Sequence, residues 1–472
     1  MKELLELNQI VYNNLKIQIE FGTYGYGEHL PTMEDMAELH LVSIDTIRHV
    51  YRKLQTEGYI TLLKSIGTVV KVKYDEEDIE HNIQTFFAQH KDSLLDFCHS
   101  MPYLFGGIQL TAWKNISPEA LSQMPAMLTT KHKSFSYSAI LFLHLVYGSL
   151  KNDMLLFLIR MVYIAYLLPF LNLGERALHI RKEFSSIPCQ IQLCRQKDWA
   201  ALSSHITAHM NGYSIAIEQF FQNYITMPAA EKQIPFTWSS YKKTSQLCYS
   251  VAFEILRSIV YGEYAEGSFL PSLKLLAEEK HVSVSTIRHT LALLNDLGII
   301  KTINGIGTQI LSLDQVCENC NLSSPTVKKR LLDYKQSLQL FALSCRSVAT
   351  VTIAALDAAT KAQWIEALYG CIRMGKSDLI PTVSLKLIAV AAPFQTIKTV
   401  YTELYKQLFW GVPFRGMKGT QQTIHTNYLP HSRFLVNALE QGDAAAFAAK
   451  LEKIFSHEVG AVTEQLAAHG IQ

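Results

Sequence analysis

A block of 61 residues occurs twice in this chain. Laying Tyr12–Val72 on Ala252–Ser312, a shift of 240 without a gap, leaves 20 of the 61 positions identical. The identities cluster. Gly22, Tyr24 and Gly27 match Gly262, Tyr264 and Gly267; Leu30-Pro31 matches Leu270-Pro271; Val42-Ser43 matches Val282-Ser283. Thr46-Ile47-Arg48-His49 matches Thr286-Ile287-Arg288-His289, and Gly58, Ile60 and Ile66-Gly67-Thr68 match Gly298, Ile300 and Ile306-Gly307-Thr308. Repeated glycines and prolines fix the same turns and repeated apolar positions the same core, so both copies must take one local fold. The chain is a duplication, with a long segment after each copy.

Each copy reads as three helices and a hairpin. Leu4 to Phe21 carries apolar residues at helical spacing and stops at Gly22. Thr32 sits where an N-cap belongs, with Asp35 three residues on, ahead of Met36, Ala37 and Leu39. Ser43 is a second N-cap candidate, opening a predicted helix from Ile44 to Glu57. Its inward stripe is Ile47, Val50, Tyr51 and Leu54, which leaves Asp45, Thr46, Arg48, His49 and Arg52 facing out. Gly58 ends it, and two β-like runs, Tyr59–Leu63 and Thr68–Val72, flank Lys64-Ser65-Ile66-Gly67. Three helices and a hairpin make a winged helix-turn-helix, whose third helix has the shape to enter a major groove.

At these residues the sequence resembles the GntR family of bacterial transcription regulators. Both copies carry its pattern: LPT and LPS, VSIDTIR and VSVSTIR, GYI and GII, IGT and IGT. The resemblance implies duplex DNA as partner and carries contact roles onto Thr46 and Arg48 in copy one and Thr286 and Arg288 in copy two. A hydroxyl and a guanidinium at a helix start reach phosphates or a guanine edge. The full candidate set adds Ser43, His49, Arg52 and Lys64, and Lys274, Ser283, Ser285, His289 and Gly305. For His49 and His289, phosphate contact and packing are equal readings. The pattern also has departures. Ile44 and Val284 replace an arginine and offer a base only an apolar contact. Asp45 brings an acid where phosphates would crowd, where Ser285 is compatible, and Glu34 stands against Lys274. The wing-tip glycine is Ser65 in copy one and Gly305 in copy two. Charge runs the other way: Ser43–Lys73 holds Arg48, Arg52, Lys53, Lys64, Lys71 and Lys73 against Asp45 and Glu57, while Ser283–Leu313 holds Arg288 and Lys301 against Asp296.

The segments after the heads read as helices: Leu121–Lys151, Asp153–Leu168, Leu173–Phe184 and Trp199–Asn223, then Val327–Ala355, Ala362–Met374, Val383–Ala391, Gln395–Trp410 and Asp443–Ala468. His90-Lys91-x-Ser93-Leu94 echoes Tyr334-Lys335-x-Ser337-Leu338, and Leu168-Pro169-Phe170 echoes Val412-Pro413-Phe414, so the duplication covers the whole two-domain unit. GSLKNDMLL at Gly148–Leu156 and LEQGDAAAFAA at Leu439–Ala449 resemble the helical effector domain of the fatty-acid-regulator (FadR-like) branch. That branch's metal ligands would fall at Ala139, Leu143, Ile187 and His209; one histidine cannot hold zinc, so no metal and no cofactor is expected. An apolar or neutral effector among Phe142, Tyr163, Tyr166 or Phe409 suits the residues present, though such aromatics also make plain core. Cys317-x-x-Cys320 has no partner pair, and eight cysteines in so long a chain fit reduced thiols.

The expected fold is mainly α with small β wings: winged helix-turn-helix domains at 1–74 and 241–314, helical effector or dimerisation domains at 75–240 and 315–472. With 43 Lys plus Arg against 41 Asp plus Glu, the net charge of +2 advertises no polyanion binder, so any basic surface is local. Met154–Leu171 is apolar enough to test as a membrane span, but Arg160 in its middle and Pro169 near its end favour a buried helix. MKELLELNQI is not a signal peptide. A cytoplasmic protein with no membrane partner is expected. No P-loop and no Gly-x-Ser-x-Gly elbow occurs, so no enzyme is expected. The expectation is a DNA-binding regulator acting as a covalent pseudo-dimer, open to further dimerisation. The alternative is an interaction scaffold whose heads lost operator binding.

Overall fold

The computed structural model describes residues 3–40, 42–63, 67–129, 135–177, 180, 186–239 and 243–471. Lys64 and Ser65 lie outside them. The chain divides into two compact units, one of Met1–Trp238 with Phe394–Thr396 and one of Ser239–Pro393 with Ile397–Gln472.

In the first unit, α1 (Glu3–Glu20), α2 (Met33–His40) and α3 (Ile44–Thr56) precede β1 (Ile60–Leu63) and β2 (Gly67–Val70). Val11, Leu15 and Ile19 of α1 meet Met36 of α2, Ile47, Val50, Tyr51 and Leu54 of α3, and Ile60 and Val70 of the wing in one core. All four stripe residues of α3 are therefore inside. Thr46 is too, at 2% exposure, contrary to its predicted outward place. The reason is local: its backbone N–H donates to the Ser43 hydroxyl at 3.2 Å and its own hydroxyl lies 3.0 Å from the same oxygen, turning the side chain back over the helix start.

The hairpins close antiparallel in equivalent registers, Ile60 opposite Val70 and Ile300 opposite Ile310. The loop before each second helix adds a rung: Gly27 and Leu30 donate to the Val70 and Thr68 carbonyls, Gly267 and Leu270 to those of Ile310 and Thr308. Gly27 and Gly267 both stand at φ +80°, a turn that disfavours any other residue, which accounts for their identity in the repeat.

The rest of the unit is helical: α4 (Glu76–Asn115), α5 (Pro118–Thr129), α6 (Phe135–Gly148), α7 (Asp153–Val162), a π turn (Tyr163–Leu167), α8 (Leu168–Leu171), α9 (Ile187–Gln196) and α10 (Trp199–Tyr224). The 40-residue α4, capped by a reciprocal Asp75–Asp78 box, pairs along α10. Two predicted spans are corrected. Leu121–Lys151 is not one helix but α5 and α6, with 130–134 between them outside the described residues. Within Leu173–Phe184 the structure has a 3-10 turn at Gly174–Ala177, and 178–179 and 181–185 are not described.

The second unit repeats the plan: α11 (Lys243–Tyr261), α12 (Leu273–Glu279), α13 (Val284–Asp296), β3 (Ile300–Ile303) and β4 (Gly307–Ile310) form the head. Then come α14 (Val316–Asn319), α15 (Pro325–Ala354), α16 (Ala358–Arg373), α17 (Ile380–Ala391), α18 (Gln395–Leu408), α19 (Val412–Arg415), α20 (Gln421–Glu440) and α21 (Ala444–Ala468). The echoes seen in sequence are equivalent places. Pro169 and Pro413 open the short helices α8 and α19, and Asp198 and Asp443 cap α10 and α21 from nearly the same backbone angles. Among the described residues, Asp153–Leu171 and Pro325–Ala354 are long and apolar enough to cross a membrane, and most of each span is buried within the protein.

Candidate nucleic-acid interface

Each recognition helix starts on a serine cap. Ser43 and Ser283 accept from the N–H groups of Thr46 and Thr286 at 3.2 and 3.0 Å, and each serine–threonine hydroxyl pair lies 3.0 or 2.8 Å apart. These four positions are thus occupied in shaping the helix start. Beyond the cap the two heads diverge. In α3, Arg48 is half-exposed and its guanidinium pairs with the Asp45 carboxylate one turn earlier. His49 is exposed, with Nδ1 2.8 Å from the Asp45 carbonyl oxygen. In α13, Ser285 stands where Asp45 does; Arg288 and His289 are exposed, and no acid bridges Arg288 among the described residues.

Other cations are less available than their count suggests. Lys53 lies 4.0 Å over the Tyr12 ring and donates to Gln9, so it serves the head's own packing. Arg52, Lys71 and Lys73 are exposed. Lys274 on α12 is open to solvent, its ammonium 4.0 Å from Glu278. Gly305 forms the second wing tip at φ +76°, next to Ile306, which is 70% exposed. Lys64, in the wing loop of copy one, lies outside the described residues, as does Ser65, the counterpart of Gly305. Ile44 is 40% exposed at the start of α3, an apolar group on the same helix as the exposed Arg48, His49 and Arg52.

A second candidate site lies in the helical part of the first unit. Phe142 of α6 and Tyr163 and Tyr166 of the π turn, three of the four aromatics named above, line one cavity of about 130 Å³. Phe97, Phe105 and Gln109 of α4, Gln190 of α9, and His209 and Tyr213 of α10 complete much of its wall. Burial pushes the Cys98 thiol and the Tyr166 hydroxyl up, keeping both protonated at neutral pH. Of the expected metal-ligand positions, His209 is the one ligand type; its Nδ1 is 2.7 Å from the Ser186 hydroxyl. No group of three or more His, Cys, Asp or Glu able to hold a metal occurs among the described residues. Cys317 and Cys320 are free thiols raised by burial, Cys320 to about 12.

Comparison with known proteins points at the heads. The family "Bacterial regulatory proteins, gntR family" matches residues 7–70 and 249–310. An HTH-type transcriptional regulator of Streptomyces coelicolor is 41% identical over 56 residues, 12% of this chain and 21% of the relative, so the chain spans about a fifth of that protein's length. Among solved structures, Streptococcus agalactiae GntR is 18% identical, with 45% of this chain and 98% of that one covered at a TM-score of 0.20. Escherichia coli McbR/YncC is 17% identical, with 46% and 98% covered at 0.23.

Proposed function

For a chain that belongs to the GntR family and carries its winged helix-turn-helix domain twice, we propose a sequence-specific duplex-DNA-binding transcription regulator in which one polypeptide supplies both reading heads. The heads are residues 1–74 and 241–314, the helical domains are 75–240 and 315–472, and an apolar or neutral small molecule held within the helical part of the chain modulates DNA binding. The observation that carries the reading is the pair of Ser-capped helices, α3 and α13, each presenting an exposed arginine two residues after the threonine whose N–H the serine accepts. That position lets a guanidinium reach guanine O6 and N7 bidentately, a contact worth about 1–3 kcal/mol of discrimination.

The heads are unequal readers. Copy two holds Arg288 unbridged beside Ser285; copy one holds Arg48 against Asp45, an exposed pair that phosphate must outcompete. The scaffold reading draws on the same ion pair. Selection of bound sites from random duplexes tests both: a recovered site with two unequal halves supports the regulator, and no enrichment over the starting pool supports the scaffold. The reading is of a binding protein rather than an enzyme.

A further inference from the structure

The two helical segments, built to one plan, differ where the first has its cavity. In the first unit the wall is aromatic and aliphatic, its polar side chains are Gln109, Tyr147 and Gln190 with Tyr163, Tyr166, His209 and Tyr213, and no Asp, Glu, Lys or Arg lines it among the described residues. Gln190 Oε1 accepts from Gln109 Nε2 and Trp113 Nε1, each at 3.1 Å, so the floor of the cavity is a fixed, uncharged amide cluster. One wall is the π turn Tyr163–Leu167, the single π segment among the described residues. Such turns cost regular hydrogen bonding and gather at functional sites.

The second unit fills or charges the same places. The echo offset of 244 residues sets Trp410, fully buried, at the position of Tyr166. The π turn there gives way to the end of α18 and a 3-10 turn, Phe409–Gly411. The offset between the capping Asp198 and Asp443, 443 − 198 = 245, sets Glu458 at the position of Tyr213. Glu458 accepts from the Lys418 ammonium at 2.5 Å and from the Tyr334 hydroxyl at 3.2 Å. The remaining space, about 110 Å³, is bordered by that ion pair and by Asp378 and Arg415. A neutral ring seated there would cover charged groups without replacing the hydrogen bonds that water gives them.

We infer that the helical part of the first unit alone binds a neutral molecule about the size of one aromatic ring. An apolar protein cavity of about 150 Å³ takes benzene, so about 130 Å³ is of the size of a single ring. An anionic ring of the same shape would lose its hydration with no Lys or Arg among the described lining residues to receive it. This rests on the effector reading of the helical segments and assigns the sensing to one copy, leaving the other as a fixed partner.

The test uses the full chain with phenol and toluene as neutral probes and benzoate as the anionic one, read by calorimetry. One saturable site per chain for the neutral probes is expected, with benzoate at least tenfold weaker. Ile217→Phe and, separately, Ile159→Phe fill the first cavity and should each weaken phenol at least tenfold, while Thr382→Phe in the second unit should leave it unchanged. If one filling variant does not fold, the other decides. Two equal sites, binding untouched by filling the first cavity, benzoate as tight as phenol, or no saturable binding each overturn the inference. Phenol saturating one site without altering DNA retention would sink the effector reading while leaving the one-site cavity in place.

Discussion

Arg48 and Arg288 occupy the same position in two copies of one helix and have different neighbours, so a single residue separates their behaviour. Replacing Asp45 by Ser gives α3 the surroundings of α13 and releases Arg48 from its ion pair. Asp45→Ser should tighten DNA binding severalfold and steepen its salt dependence; equal titrations for variant and parent would show that the pair does not restrain the arginine. Arg288→Ala should cost about 1–3 kcal/mol of preference for the selected site over random duplex. Arg48→Ala should cost less in the parent and as much once Asp45 is Ser, a comparison that separates base reading from general attraction. His40 makes a different prediction. It is buried at the end of α2, its Nε2 has no hydrogen-bond partner among the described residues, and burial with the nearby Arg160 charge lowers it to about 4. Its folded pKa lies below the unfolded 6.5, so above pH 6.5 the ring is neutral in both states and costs nothing. As pH falls from 6.5 toward 4 the unfolded chain takes up a proton that the folded head refuses, and stability drops by up to about 3 kcal/mol. Amide-exchange protection of α2 and α3 at pH 7 and pH 5 reads this directly. His40→Leu should remove most of the difference, and an unchanged difference would assign the pH response elsewhere.

The recognition helices were legible because three signals agree on each: a serine cap, an apolar stripe at helical period, and a glycine stop. Their caps now carry a prediction. Ser283→Ala leaves the Thr286 N–H without its acceptor and should destabilise the second head by about 0.5–2 kcal/mol, seen as a lower midpoint in denaturant. The stops are alike in sequence and unlike in packing. A Cβ on Gly298 would stand 2.7 Å from the Asn319 carbonyl carbon and the Val316 oxygen, whereas one on Gly58 meets nothing within 4 Å. Both glycines have φ near +80°, so Gly58→Ala pays for the backbone alone, about 1 kcal/mol, and Gly298→Ala should cost more because α14 must move. Equal losses would mean that the contact yields freely. Elsewhere the sequence misled or was silent, for physical reasons. Pro102 and Gly106-Gly107 hide α4, yet Pro102 sits inside a helix held by its packing along α10. Pro430 hides α20 in the same way. Thr46 looked outward by helical phase, but capping geometry turned it in. The aromatics of the cavity were named from composition; that three converge depends on the π turn, which no local pattern announces, while Phe409 belongs to the second unit and lines the cavity there.

Two heads on one polypeptide change what an operator must provide. A chain that needs a twin finds its second half-site at the concentration of free protein, whereas on the proposed reading the second head is tethered and would meet DNA at an effective concentration set by the intervening chain. The cations available on the heads are few, since in the first head Lys53 is committed to the Tyr12 ring and Arg48 to Asp45, and the chain as a whole is close to neutral. Each phosphate neutralised contributes roughly one unit to the slope of log affinity against log salt. A slope well below that of a strongly basic DNA binder therefore follows, together with a preference resting on α13 more than α3. Titrating one selected duplex at several salt concentrations, with complex mass read by sedimentation, measures stoichiometry and slope together. One chain per two-part site, with both half-sites needed for full affinity, is the expected outcome. Two chains per duplex, each using a single head, would assign the pairing to separate molecules and leave the duplication without a role in spacing.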